Sequence, residues 1–389
     1  MKIAFVAPFY GAQAAGGAEA ECRQTAHHLA ARGVTVDVLT TCLLDLQHDW
    51  NVDAHAAGLH PDGPVRVRRF RSARVDRAAF EGLNRRVMEG VADETEQRRF
   101  AAQHVSSPDL FRHLADHGGA YDRLVFIPYP FGATIYGSRM FPEKSVLIPC
   151  LHDEGYARIA PVRELFARCA RIVFHTAAEE RLAVRLYGDL RGRGRVIGEG
   201  VETNLQADGR RFREKYGIHG PFLLYAGRKD ISKNTPQLAD FFCAARAARR
   251  HGAKLVLIGP GTINVSAAAR DTVVDLGFVP AQDKLDAYAA AAVFCQPSRN
   301  ESFSLVLMEA WDLGVPALVH GGCEVLRDHV VSAGGGLYFR NAAEFDAALA
   351  YLLENPETAR VMGRAGRDYV RAHYAWDRIM DRYLADVFA

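Results

Sequence analysis

Short, nearly unbroken apolar runs separated by longer stretches of helical period recur along this chain, and that alternation restricts its fold more than any other feature. In the first half the runs are Ile3–Phe9, Val34–Thr40, Val65–Phe70, Leu124–Tyr129, Val146–Cys150 and Ile172–His175. In the second half they are Phe222–Ala226, Leu255–Ile258, Val293–Gln296, Val315–Val319 and Gly336–Phe339. A strand that is apolar on both faces is covered on both faces, as in a parallel sheet flanked by helices. Helical spacing fills the gaps at Ala18–Arg32, Pro236–His251, Asp283–Ala291, Ser304–Leu313 and Ala343–Glu354. The pattern predicts an α/β fold with two doubly wound parallel sheets. A chain of 389 residues is long enough for two such domains. The glycine-rich, charged stretch Leu190–Arg195 is the expected linker. Tyr374–Leu384 reads as an amphipathic helix, with Trp376, Ile379, Met380, Tyr383 and Leu384 on one face.

Residues 43–120 give weaker strand signals and carry Arg66, Arg68, Arg69, Arg71, Arg74 and Arg77. A solvated strand followed by an exposed helix is the preferred reading. The sharper one is a basic surface that meets an anionic membrane or a phosphorylated acceptor. Over the whole chain 48 basic residues face 46 acidic ones, so the net charge of +2 gives no support to a nucleic-acid binder. The seven cysteines form no C-x-x-C pair and read as free thiols of a reducing compartment. The apolar run at the N-terminus is too short for a signal peptide, and no stretch approaches the roughly 20 apolar residues that span a bilayer. A cytoplasmic location follows, with peripheral contact at the inner membrane face left open for the first domain.

The chemistry-bearing residues gather after the candidate strands. Gln296–Ala310 passes from an apolar strand through a polar loop into a helix, with Ser304 as its N-cap and Gly314 beyond its end. A helix start at the carboxyl edge of a sheet favours a diphosphate. Glu301 in the loop can accept hydrogen bonds from sugar hydroxyls, and Glu309, one segment further on, from a ribose. After Phe222–Ala226 comes Gly227-Arg228-Lys229-Asp230-Ile231-Ser232-Lys233, where Arg228 and Lys233 can neutralise a leaving diphosphate. Alone, the two would be surface charge; their place behind a buried strand favours the other reading. Gly16 and Gly17 follow the first strand and allow close backbone approach, or serve turn geometry only. His152 ends a buried run and can reach a sugar hydroxyl, although a lone histidine is more often structural. Gly259 could line the phosphate path, and Phe278 with Val279 the base pocket; each could equally be a plain turn. No D-x-D tripeptide occurs, which disfavours a transferase built on a metal-bound diphosphate.

Taken together, these elements resemble the retaining glycosyltransferases of the GT-B fold, family 4. The resemblance rests on Gly16-Gly17, on Gly227-Arg228 with Lys233-Asn234, and on Pro297-Ser298-Arg299-Asn300-Glu301-Ser302-Phe303-Ser304-Leu305 through Glu309-Ala310 to Gly314-Val315-Pro316. It implies two facing Rossmann-like domains: an acceptor-side domain, 1–197, and a nucleotide-sugar domain, 198–372, with a C-terminal helix, 373–389, crossing back to the first. By the same resemblance Arg228 and Lys233 would hold the diphosphate and Glu309 the ribose. Glu301, Ser302, Phe303, Ser304 and Leu305 would surround the donor sugar, with Gly16, Gly17, Gly227, Gly259, Phe278 and Val279 lining the donor and His152 touching it from the first domain. The donor would be a UDP-, GDP- or ADP-sugar and the acceptor a hydroxyl of a glycan, glycolipid or small molecule. Transfer would retain configuration and need neither metal nor cofactor. Ser304 departs from the family's glycine, and Glu199 from its asparagine before Gly200. A sugar-nucleotide epimerase or hydrolase of the same fold, and a non-catalytic nucleotide-sugar binder, are the alternative readings.

Overall fold

The computed structural model describes residues 1–14, 16–249, 252–264, 269 and 271–388. Two compact units emerge, Met1–Gly200 with Trp376–Ala389, and Val201–Ala375. The architecture is GT-B, with a Rossmann-like parallel sheet in each unit.

The first unit holds β1 (Lys2–Val6), β2 (Thr35–Thr41), β3 (Gly58–Asp62), β4 (Val65–Phe70), β5 (Arg123–Phe126), β6 (Ser145–Leu147), β7 (Arg171–Phe174) and β8 (Gly194–Val196). They lie in the order β3-β4-β2-β1-β5-β6-β7-β8, parallel except for β3. The apolar runs outlast the strands: Phe9, Ile127 and Ile148 are fully buried yet lie past the ladder. Burial continues into the loops at the carboxyl edge, so hydrophobicity overstates strand length.

Three expectations fail in this unit. The strand Val65–Phe70 is solvated only at Arg66 and in part at Arg68, because β3 pairs antiparallel along its outer side and the other four residues of the strand are buried. Arg69 is buried and donates to the Tyr10 carbonyl at 2.7 Å and the Thr41 carbonyl at 3.2 Å. Instead of one exposed helix, Arg77–Met88, Glu94–Gln103 and Pro108–His117 follow, capped by Asp76, by an Asp93/Glu96 capping box, and by Ser107. They bury Phe80, Leu83, Phe100, Leu110 and Leu114 in the core. Nor is Leu190–Arg195 a linker: it is a turn into edge strand β8, and the Arg193 guanidinium donates to the carbonyls of Phe166 and Cys169 at 2.8 and 3.1 Å.

At the C-terminus the helix covers Trp376–Arg382 and passes into a π-turn, Tyr383–Val387, so Tyr374 lies outside it. It belongs to the first unit. Trp376 stacks on His28 at 4.0 Å, and Arg32 binds Asp377 and Asp381 at 2.7 and 2.9 Å. Ala389 lies outside the described residues.

The second unit holds β9 (Phe222–Ala226), β10 (Lys254–Ile258), β11 (Val273–Asp275), β12 (Val293–Gln296), β13 (Ala317–His320) and β14 (Gly336–Phe339), all parallel in the order β11-β10-β9-β12-β13-β14. The expected Pro236–His251 helix spans Thr235–Arg249; Arg250 and His251 lie outside the described residues. One short helix, Leu305–Asp312, is clamped at its end. Trp311 is fully buried and donates its indole N–H to the Gly335 carbonyl at 2.9 Å. Asp312 accepts from the Arg371 guanidinium at 2.8 Å and the Leu205 N–H at 3.0 Å. Such close packing requires glycine on the Pro356–His373 helix: a Cβ at Gly363 would lie 1.9 Å from the Gly314 carbonyl oxygen, and one at Gly366 2.4 Å from the Trp311 ring.

Helix propensity alone favours alanine over glycine by about 0.5–1 kcal/mol. Gly363→Ala should nevertheless lose about 2 kcal/mol or more through overpacking, whereas Gly82→Ala, on the exposed face of Arg77–Met88 with open space around it, should gain about 0.5–1 kcal/mol. Urea unfolding of both variants tests the contrast, and equal signs would refute the packing argument.

Candidate functional site

In the second unit three turns at the carboxyl edge lie side by side. Gly227 follows β9 and Gly259 follows β10, at φ of 148° and 121°. A Cβ at Gly259 would sit 2.1 Å from the Gly227 carbonyl oxygen. The Lys229 N–H donates to the Pro260 carbonyl at 2.8 Å, and the Gly259 N–H to the Gly277 carbonyl at 2.7 Å. These glycines permit backbone to pack on backbone, a need that sequence left open for Gly259.

Asp230 organises the Gly227–Asn234 loop. It accepts from the Ser232 hydroxyl at 2.6 Å and the Lys233 N–H at 2.9 Å, and it pairs with the Arg228 guanidinium. Burial works against its charge, but these hydrogen bonds and Arg228 hold its carboxyl below the ordinary range. Arg228 also reaches the Ser232 hydroxyl at 3.1 Å and is itself partly exposed. Its neighbour Lys229 is the buried cation, bound to Asp275 at 2.5 Å. Lys233 turns the other way, and its ammonium lies 2.7 Å from the Glu301 carboxylate. Asn234 supports the same junction by donating to the Pro297 carbonyl at 3.1 Å. The structure thus brings Lys233 and Glu301 together, while Arg228 stays with its own loop.

Glu309, on the clamped helix, has its own partners. Lys284 lies 2.6 Å from one carboxylate oxygen, and the Tyr288 hydroxyl donates to the other at 3.1 Å. Both come from one face of the Ala281–Ala290 helix, four residues apart. That spacing was readable; the partner on another helix was not. Ser304 stands at the N-cap of Leu305–Asp312 but does not cap it through its side chain. Its φ is +84°, the region that favours glycine, and its hydroxyl accepts from the Gln296 amide at 3.3 Å. Phe303 is buried edge-on against Tyr374 at 4.9 Å and His329 at 5.5 Å. Burial pushes His329 down to about 4, so it is neutral there. Ser302 is half-buried beside it, Val279 is buried, and Phe278 is 82% exposed.

Gly16, Gly17 and His152 belong to the first unit. The Gly16-Gly17 turn opens the Gly17–Ala31 helix, where a Cβ at Gly16 would lie 2.0 Å from a Glu19 carboxylate oxygen. Desolvation pushes Glu19 up to about 7. His152 is half-buried, 3.9 Å from Glu154, which accepts the Tyr129 hydroxyl at 2.6 Å.

Behind His152 lies a buried network that no sequence motif announces. Glu179 accepts the N–H groups of Leu151 at 2.6 Å and His175 at 2.7 Å. The His175 ring lies 2.7 Å from Glu21, on the helix that starts at Gly17. Burial disfavours the charged imidazole, but Glu21 and Glu179 overcome it and raise His175 to about 10. One carboxylate on each neighbouring element thus holds the backbone at Leu151 and the first helix against a common cation. Glu21, Cys150 and His175 also offer ligand atoms within 4.8 Å of one another. The 2.7 Å spacing of Glu21 and His175 is that of a hydrogen bond; two ligands about 2.1 Å from a tetrahedral ion stand roughly 3.4 Å apart. The group fits an ion pair better than a metal.

Among the described residues no helix is long and apolar enough to cross a membrane, and all seven cysteines are free.

Residues 208–369 match the family model described as glycosyl transferases group 1. A D-inositol 3-phosphate glycosyltransferase of Saccharomonospora viridis is 29% identical over 253 residues, 59% of this chain and 58% of its own length. The match therefore spans little more than half of that relative. A sucrose-phosphate synthase from Thermosynechococcus elongatus superposes with a TM-score of 0.72 at 20% identity, covering 98% of this chain and 96% of that one. The Anabaena HepE protein in complex with UDP-glucose gives 0.68 at 15% identity, covering 99% and 98%.

The His175 network has a definite pH signature. Its raised pKa gives stability that is fully present below the ordinary value of 6.5 and is lost as pH rises through about 10. Glu179, raised by burial from 4.5 to about 7, acts in the same direction over that lower window. His175→Ala should cost about 3–5 kcal/mol at neutral pH, because it strands buried carboxylates. The deficit should shrink toward pH 10. Denaturant titrations of both proteins from pH 6 to 10 check it; a constant deficit would show a packing loss only.

Proposed function

For a chain whose residues 208–369 form a glycosyl transferases group 1 domain, we propose glycosyl transfer from a nucleoside-diphosphate sugar to a hydroxyl acceptor, with retention of configuration and without a metal. The observation that carries the reading is the junction of Lys233 with Glu301 at 2.7 Å, beside the start of the Leu305–Asp312 helix. A cation for phosphate oxygens and an acceptor for sugar hydroxyls stand next to each other there. The family match to this unit supports the same assignment, and so does the fold shared with HepE, whose structure holds UDP-glucose.

In this reading Lys233 and Arg228 bind the two phosphates. As the glycosidic bond breaks, negative charge grows on the leaving diphosphate, and fixed cations stabilise that state more than the bound donor. The free N–H groups at the start of the helix add to the field. Cationic neutralisation of this kind does the work that paired acids and a metal do elsewhere, and the loop carries no D-x-D tripeptide. Glu301 accepts from the donor sugar's hydroxyls, with Ser302, Phe303, Ser304 and Leu305 around it. Glu309 accepts from the ribose hydroxyls; Lys284 and Tyr288 set its orientation. Gly227, Gly259 and Val279 line the donor's path, and exposed Phe278 is available to a base. No side chain is assigned as base; the leaving phosphate takes the acceptor proton.

Lys233→Ala and Arg228→Ala should each lower kcat by about 100-fold or more while changing the Kd for the nucleoside diphosphate by less than about tenfold. A thermal-shift series with UDP, GDP, ADP and their sugars identifies the donor, since a bound ligand raises Tm by mass action. Parallel loss of binding and turnover would make the cations mere binding groups. Indifference to every nucleoside diphosphate would sink the proposal.

A further inference from the structure

We propose that the first unit carries a second site, on a face of its sheet and open toward the amino ends of β1 and β5, for a small phosphomonoester or similar dianion. A pocket of about 230 Å³ opens there. Its floor follows from strand register. Asp37 and Leu39 of β2 pair with Arg66 and Arg68 of β4, and alternation puts all four on one face of the sheet. His113 and His117, one turn apart on the Pro108–His117 helix with ring centroids 4.5 Å apart, form the wall. Lys2, the first residue of β1, closes the pocket with its ammonium over the Tyr121 ring at 4.5 Å.

Charge decides what fits. Three fixed cations, Lys2, Arg66 and Arg68, meet a single carboxylate, Asp37. That carboxylate is already engaged: Arg66 grips it with two hydrogen bonds at 2.7 and 2.9 Å, and the Tyr121 hydroxyl donates to it at 2.8 Å. The Arg68 guanidinium has no hydrogen-bond partner among the described residues and is half-buried. Desolvation, then Arg68 and His117, hold the His113 imidazole below its ordinary value, with Asp116 and Asp37 pulling weakly the other way. The pocket is therefore short of negative charge in a partly desolvated place, where the guanidinium fork matches phosphate geometry. Leu39 and Leu59 add apolar wall for a small organic group. The volume falls below the roughly 300–1,000 Å³ of pockets for drug-sized ligands, so a whole nucleotide sugar is too large.

Position separates this pocket from the donor chemistry. In doubly wound sheets substrates bind beyond the carboxyl ends of the strands. Lys2 begins β1 and Ala120 and Tyr121 precede β5, whereas the Gly16-Gly17 turn follows the end of β1, about 13 Å beyond Lys2 at 3.3 Å per residue; Leu39 and Arg68, level with Val6 by register, line the pocket on the sheet face. The occupant is accordingly an effector or anchor, not the transferred sugar's donor. The basic segment Arg66–Arg77, which the sequence left between a solvated surface and an anion-binding one, contributes two of its arginines here.

The test is calorimetric titration of inorganic phosphate and glucose 6-phosphate into the intact chain, repeated with Arg68→Glu, His117→Ala and Arg228→Ala. Saturable binding that weakens tenfold or more in Arg68→Glu and His117→Ala, yet persists in Arg228→Ala, is the expected result. His117 is exposed, so its variant keeps the test independent of folding; Tm and the response to nucleoside diphosphates should stay unchanged in it. Sedimentation with phosphatidylcholine vesicles containing phosphatidic acid separates the two sources of the phosphomonoester. Binding to them that Arg68→Glu abolishes and soluble phosphates do not match assigns a lipid headgroup; soluble binding alone assigns a free metabolite. Absence of saturable binding to either source, or binding that Arg228→Ala removes and Arg68→Glu leaves intact, overturns the proposal, whatever becomes of the donor site.

Discussion

The placement of Ser304 and Glu309 at the carboxyl edge of the second unit depends on how tightly the end of one eight-residue helix is held. Trp311 is buried against Gly366 of a neighbouring helix and against Gly335, Gly363 of that helix makes room for the Gly314 carbonyl, and Asp312 is pinned by Arg371 and the Leu205 N–H. A helix this short has little stability of its own, so tertiary packing must supply it. Because the far end is fixed, the near end is fixed as well: Ser304 can be held at a positive φ, and Glu309 can meet Lys284 and Tyr288 at hydrogen-bond distance. Local strain at the helix start is tolerated because the surroundings over-determine it. The same logic explains the glycines at 363 and 366, whose missing side chains are what allow the approach.

The first unit solves a different problem. Its buried charges are not surface decoration; His175, Glu21 and Glu179 lie in the core and link three elements at the carboxyl side of the sheet. A charge in low dielectric is tolerated only with a close counter-charge and satisfied hydrogen bonds. That requirement makes the network directional. It fixes the backbone at Leu151, next to His152, relative to the helix that opens at Gly17. A hydrophobic cluster of the same volume would fill the space without imposing that register.

Strand signals and site signals differed in how far they could be read. The β/α alternation located nearly every strand of both sheets, because a strand buried on both faces has to be apolar throughout. It missed Gly58–Asp62, Gly194–Val196 and Val273–Asp275, which are short and half-exposed at sheet edges. Gly58–Asp62 contains both glycine and proline and is held by side chains: Asp62 binds Arg23, His27 and Tyr10. The three helices between residues 77 and 117 did announce themselves through Asp76, Asp93 with Glu96, and Ser107 with Pro108, cap signals obscured by the run of arginines.

The sequence by itself determined the class of fold and the residue types at the sheet edges, because both are set by local rules: apolar runs, helix starts, and glycines after strands. Tertiary structure alone decided the pairings. Lys233 meets Glu301 across 68 residues, Glu309 meets Lys284 across 25, and His175 meets Glu21 across 154. It also decided that Arg69 is a core residue and Arg68 a pocket residue, although they are neighbours in sequence. The physical reason is that a charged side chain takes its role from the dielectric and the counter-charge around it, and folding brings both from distant parts of the chain.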